Sequence, residues 1–135
     1  MLQLAAVRAG DKVYDLGCGD GRIVIAAARD FGATGVGIDL DPALIGLANA
    51  NARDAGVADR VAFRNGDLFL EDFSDATVVT LYLGQKVNLR LKPKLLRELK
   101  PGTRMVSHQF DMGADWPPER QMQIGKSTLY LWTIH

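Results

Sequence analysis

Three acidic positions and one glycine-rich run carry most of the chemistry this sequence can offer. The run is Asp15-Leu16-Gly17-Cys18-Gly19-Asp20-Gly21. Glycines at alternate positions permit a tight turn and let a ligand approach the backbone, and the helix that follows opens on free amides. A dinucleotide fingerprint spaces its glycines G-x-G-x-x-G, which from Gly17 would put the third where Arg22 stands. A pyrophosphate would also sit badly beside Asp15 and Asp20, whereas two carboxylates suit a cationic ligand end. Asp39 follows eighteen residues after Gly21, and a carboxylate there can accept both hydroxyls of a ribose. Gly66-Asp67-Leu68 supplies a short acid for an exocyclic amino group and a leucine to pack on an aromatic ring. An amino-acid end, a ribose and an adenine, with no phosphate binder, are the parts of S-adenosylmethionine, and that is the cofactor expected.

These residues can act together only if each one ends a strand of the same sheet. Lys12–Leu16 reads as a buried strand, Arg22–Phe31 as a helix with Ile23, Val24, Ala27 and Ala28 on one face, and Thr34–Asp39 as a second strand. Asp41-Pro42 caps a helix running to about Ala55, which leaves Asp39 free. Val61–Arg64, Ala76–Leu83 and Thr103–Phe110 follow as strands. Gln85–Leu99 reads as a helix interrupted at Pro93, because proline sits best at a helix start. Met1–Ala9 has room for two helical turns, and Gln121–Ile124 with Thr128–Ile134 reads as a terminal hairpin. Alternating strands and helices that give way to consecutive strands predict an α/β fold. The sheet expected is Rossmann-like and doubly wound, mostly parallel, with a C-terminal antiparallel hairpin. Ligands of such sheets lie beyond the carboxyl ends of the strands. The candidate cofactor-binding residues are therefore Asp15, Gly17, Cys18, Gly19, Gly21, Asp39, Leu40, Gly66, Asp67, Leu68 and Leu81, with Tyr82 as the candidate catalytic residue.

Asp15–Gly21, Asp39 and Asp67 resemble the first three motifs of the class I S-adenosylmethionine-dependent methyltransferases, which implies a seven-stranded sheet with its last strand antiparallel. Several stretches go further: Val13-Tyr-Asp-Leu-Gly-Cys-Gly-Asp-Gly-Arg-Ile23, Ala76-Thr-Val-Val-Thr80, Leu91-Lys-Pro-Lys-Leu95, Glu98-Leu-Lys-Pro-Gly-Thr-Arg104 and Val106-Ser-His108. They look like the archaeal broad-specificity protein lysine methyltransferases and, more distantly, the mitochondrial lysine methyltransferases. That resemblance implies methyl transfer to exposed lysine side chains of proteins. Such enzymes begin with an additional segment and a helix folded over the cofactor, while only twelve residues precede Val13 here. The expectation that follows is an open cleft, weak cofactor binding, and apolar surface near Met1–Val7 that favours self-association.

The remaining features are weighed against plainer readings. A chain of 135 residues with 47% hydrophobic and 24% charged residues is a single globular domain. Sixteen basic residues balance sixteen acidic ones, which argues against a nucleic-acid or anionic-membrane partner. One cysteine excludes a disulfide framework or a thiolate zinc cluster, so no metal site is expected. No run reaches the ~18 apolar residues of a membrane span, and a cytoplasmic location is expected. Cys18 reads as a small turn residue, His108 as a hydrogen-bonded structural residue, and Tyr82 equally as core or site. Lys86–Arg104 holds seven basic residues and one acid, and reads as the solvated face of a helix. Leu81-Tyr82-Leu83-Gly84 lacks the acid-Pro-Pro-aromatic run usual for methylation of base amines. A small-molecule methyltransferase and a cofactor-binding scaffold of little activity stay open as alternatives.

Overall fold

In the computed structural model, which describes residues 1–135, a strand buried on both faces sits at the centre of the sheet. It is β1 (Lys12–Leu16), followed by α1 (Arg22–Phe31), β2 (Thr34–Asp39), α2 (Pro42–Asp54), β3 (Val61–Asn65), β4 (Val78–Leu81), α3 (Gln85–Glu98), β5 (Arg104–His108), β6 (Arg120–Ile124) and β7 (Ser127–Thr133). The seven strands lie in the order β3-β2-β1-β4-β5-β7-β6. β1 pairs in parallel with both β2 and β4, and strand order reverses there. β7 runs antiparallel to β5 and β6, the hairpin that consecutive strands lead one to expect.

Alternation along each strand divides the core into two layers. Tyr14, Val79, Met105 and Trp132 face the layer covered by α3, while Val13, Val78, Val106 and Leu131 face the layer covered by α1 and the N-terminal segment. The α3 side is held by Leu91 and Leu95, four residues apart and fully buried. Each such leucine contributes about 1.5–3 kcal/mol by leaving water.

Three expectations are corrected. Met1–Ala9 forms successive turns, not a helix, and Ala6 takes a left-handed φ of 54°. The cause lies ninety-eight residues away: the Arg104 guanidinium takes the carbonyls of Ala5 and Ala6 and also reaches Asp11 at 2.6 Å. Nor is the segment an exposed apolar surface, because Leu2, Leu4, Ala5 and Val7 are buried in the α1-side layer. Finally, α3 continues through Pro93 without a break. Pro93 sits on the exposed side, where the carbonyl its ring deprives of a partner can be hydrated. Arg104→Met is expected to cost about 1.5–3 kcal/mol of stability by removing the counter-ion of buried Asp11, which keeps only Arg8 N–H and the Thr77 hydroxyl, and the donor to two carbonyls. Arg104→Lys should recover less than half of that, since one ammonium cannot span three acceptors. Urea unfolding measures both, and a Lys variant as stable as the parent would refute the bridging role.

Candidate functional site

The carboxyl ends of β1, β2, β3 and β4 converge on one side of the sheet, and each loop there is stitched to its neighbour. The amides of Gly17 and Cys18 both donate to the Ile38 carbonyl, at 2.9 and 3.0 Å. Gly19 N–H donates to Asp39 Oδ2 at 2.9 Å, so the glycine loop is drawn toward the end of β2. The Asn65 side-chain amide donates to the carbonyls of Asp39 and Leu40, at 3.1 and 2.9 Å, and ties the β2 end to the β3 end. Across β1 and β4, which align Asp15 with Thr80, the Thr80 hydroxyl donates to Asp15 Oδ1 at 2.8 Å.

Glycine is required at the loop for space as well as for conformation. Gly17 has φ 80°, and a Cβ there would lie 2.7 Å from Leu83 Cδ2. Gly21, at φ 83°, precedes α1, and its Cβ would meet the Phe63 ring at 2.7 Å. At these two positions the backbone packs where any side chain would collide, while at Gly19, φ 56°, an added Cβ would meet open space and only conformation favours glycine.

A cleft of about 400 Å³ opens beside this loop, with Asp15, Gly17, Cys18 and Gly19 on its floor and Leu44, Leu47 and Tyr82 on its walls. Asp15 is fully buried, and burial raises its carboxyl to about 7, with the charge of Asp39 adding to the rise and the Thr80 hydroxyl offsetting part of it. Cys18 is buried, and burial followed by the Asp15 and Asp39 charges pushes its thiol to about 12, which fits a turn residue and no nucleophile. At the rim Arg22 grips Asp20 through two nitrogens, at 3.1 and 2.8 Å, and holds that carboxyl below its usual range.

The residues singled out by sequence are not all equivalent in space. Asp15, Gly17, Cys18, Gly19 and Tyr82 line the one cleft, and Gly21 closes the loop into α1. Asp39, Leu40, Gly66, Asp67 and Leu68 form a second group at the ends of β2 and β3. Asp39 also accepts from Asp41 N–H on Oδ1, and Asp41 caps α2 by accepting from Ala43 N–H, as its place beside Pro42 suggests. Leu40 is 70% exposed. Gly66 N–H donates to the Asp39 carbonyl at 3.0 Å. Asp67 Oδ1 accepts from Phe69 N–H at 2.9 Å, turn chemistry that leaves its second oxygen without a partner. The Leu68 and Leu81 side chains belong to the α3-side core, and Leu81 is fully buried, so the end of β4 presents Tyr82 and not Leu81 to the cleft.

Tyr82 is 59% exposed and stands edge-to-face with His108, ring centres 4.2 Å apart at 84°. His108 is held by this packing and not by the hydrogen bonding expected of it, since its buried Nδ1 has no partner. Sequence reading missed Thr80, Leu44 and Leu47, which depend on strand register and helix packing, while Asn65 stands in the turn after the third strand, where functional residues are expected.

The family model for the ANTKMT methyltransferase domain matches residues 15–120. The protein-lysine N-methyltransferase of Saccharolobus islandicus is 46% identical over 99% of this chain and 86% of its own length. The adenine nucleotide translocase lysine N-methyltransferase of Mus musculus is 35% identical, and the chain spans only 58% of that protein. A solved structure described as an RNA methyltransferase from Salinibacter ruber in complex with S-adenosylhomocysteine is 58% identical. It superposes with a TM-score of 0.97 over 98% of this chain and 86% of that one.

Proposed function

The chain belongs to the ANTKMT methyltransferase-domain family, and from that premise we propose that it transfers the methyl group of S-adenosylmethionine to lysine side chains of proteins. The observation that carries the reading is the convergence of a methyltransferase glycine loop, Asp15 and Asp39 at the reversal of strand order, in a chain so similar to a protein-lysine N-methyltransferase. A cytoplasmic site of action belongs to the same proposal; no helix of the chain is long and apolar enough to cross a membrane.

The residues present fit that cofactor. The loop backbone from Gly17 to Gly21 and the Asp15 carboxylate suit a cationic amino-acid end, with the open space at Gly19 giving it room. Asp39 Oδ1 and Oδ2 accept one hydrogen bond each, and a carboxylate accepts about four, so two ribose hydroxyls can still be taken. The free oxygen of Asp67, with Leu40 exposed nearby in sequence to Asp39, suits an adenine. Bound there, S-adenosylmethionine supplies a methyl group on a sulfonium, a good leaving group for direct displacement by an amine.

The chain's own task is to deliver that amine neutral and in line. A lysine with its ordinary pKa near 10.4 is neutral about once in 2,500 at pH 7, and desolvation in the cleft raises that fraction. Tyr82, braced by His108, stands at the cleft wall with its phenol free to orient the amine, and solvent takes the proton. Positioning of this kind is worth about 7–11 kcal/mol in well-aligned reactions.

The Salinibacter ruber description makes RNA the second reading. Balanced net charge and the absence of an acid-Pro-Pro run after β4 weigh against it. One assay decides: labelled S-adenosylmethionine offered with mixed folded proteins and, separately, with total RNA. Label on proteins, assigned to methyllysine by mass spectrometry, is the expected result; label confined to RNA would replace the proposal. S-adenosylhomocysteine is also expected to raise the melting temperature by mass action, and NAD to leave it unchanged. An equal shift with NAD would overturn the cofactor assignment.

A further inference from the structure

Helix α3 shows two faces of opposite character. Asn88, Leu91 and Leu95 point into the core, and Asn88 donates to Ser107 Oγ and to the carbonyls of Phe110 and Asp111. The opposite face is open to solvent and repeats every three or four residues. It carries Leu89, Pro93 and Leu96 along its middle, with Leu89 44% and Leu96 49% exposed. Lys86, Arg90 and Arg97 run along one side of them, and Lys100 follows just past the helix end. Over fourteen residues the stripe runs about 21 Å.

The remaining two cations of the helix are neutralised. Lys92 pairs with Asp115 at 2.6 Å, and Lys94 pairs with Glu98. The stripe is treated differently: Lys86, Arg90 and Lys100 make no ion pair, and Arg97 only approaches Glu98, at 3.7 Å, which Lys94 already holds. Arg90 is not loose either, because its guanidinium lies 4.8 Å over the Phe69 ring. A lone exposed leucine or an unpaired surface cation is ordinary, but here two half-exposed leucines, one of them leaning on Gly113, share a single helix face with three cations that no acid of the chain holds.

We propose that this outer face of α3 is a docking surface for an acidic, leucine-bearing segment of the protein substrate. The inference rests on the protein-lysine reading of the site. Carboxylates of the segment would meet the four cations while its apolar side chains cover Leu89 and Leu96. RNA fits less well, since no aromatic on the stripe offers a base a stacking partner and phosphates would face leucines. Docking there brings the partner's chain to Lys86, four residues after Tyr82 at the cleft wall. Such contacts act on association and salt dependence, so they lower KM and leave kcat alone.

The test is binding first, without cofactor. A fluorescein-labelled amphipathic 20-residue peptide, rich in Glu and Leu with one Lys, is titrated with the whole chain and with Arg90→Glu/Arg97→Glu. About tenfold weaker binding to the variant is expected, with a shallower salt dependence, while its S-adenosylhomocysteine affinity and circular dichroism stay unchanged. Leu96→Ser should weaken binding severalfold at unaltered salt slope. Equal binding of the peptide to parent and charge-reversed chain, or tighter binding of a uridine 20-mer than of the peptide, overturns the proposal. Methylation of a short neutral lysine peptide is followed in parallel and should be the same for all variants. If it is absent throughout, the lysine reading fails while the binding result still decides the docking surface.

Discussion

Replacing Asp15 by Asn is expected to stabilise the free chain above neutral pH and, at the same time, to weaken its hold on S-adenosylhomocysteine. Asp15 is fully buried, and burial, reinforced by the Asp39 charge, raises its carboxyl from 3.8 to about 7. The folded chain therefore keeps a proton that the unfolded chain gives up. The stability this allows is complete below about pH 4, falls as pH rises toward 7 and is lost above it. The ionised carboxylate then costs the fold a few kcal/mol, on the scale of 1.4 kcal/mol per tenfold. Asn keeps an oxygen for the Thr80 hydroxyl and carries no charge. Urea titrations should show a gain for Asp15→Asn that is absent near pH 4 and largest at pH 8. A cationic ligand end favours the carboxylate instead. Affinity of the parent should thus climb from pH 5.5 to about 7 and level off, with a proton released on binding. The variant should bind on the order of 100-fold more weakly at pH 8 with no climb. A parent affinity flat across this range would show that Asp15 does not face the ligand's charge.

Asp39→Ala should weaken S-adenosylhomocysteine binding by at least about 100-fold. The arithmetic is that of two hydrogen bonds to a charged acceptor, each about 1.5–3 kcal/mol. Asp39 also holds the Gly19 amide and the Asp41 amide in the free chain, so part of the loss is slackening of the glycine loop. Asp39→Asn separates the two. It keeps one acceptor oxygen and should fall between parent and Ala in affinity while melting close to the parent. Calorimetry measures the affinity and thermal unfolding the loop's contribution. Unchanged affinity in Asp39→Ala would place the ribose elsewhere.

The elements nearest the site were the most legible ones, because their boundaries are set by neighbours in sequence. Gly21 and Gly32 bracket α1 in left-handed conformations, and Asp41-Pro42 starts α2 with both its capping bond and its proline in place. β4 is shorter than its apolar run suggests, Val78–Leu81 and not Ala76–Leu83. β1 ends opposite Leu81, so further extended residues would have no ladder to join on that side. The Met1–Ala9 helix failed for a similar reason. Local propensity allowed it, but Arg104 claims the carbonyls a helix would have used.

Residue types and spacing by themselves picked out groups that gather at the carboxyl ends of the strands: the glycines of residues 17–21, and acids at 15, 39 and 67 in or just after β1, β2 and β3. They did so because the conformational needs of a tight turn and the alternation of buried strands are written within a few residues of each other. Only the tertiary structure decided how those groups are prepared. The burial that raises the Asp15 carboxyl, the Thr80 hydroxyl beside it, the Asn65 clamp between two loops and the bracing of Tyr82 by His108 join residues far apart in sequence. Desolvation and side-chain hydrogen bonding depend on what surrounds a group in three dimensions, and that is settled by strand register and packing, not by sequence neighbours.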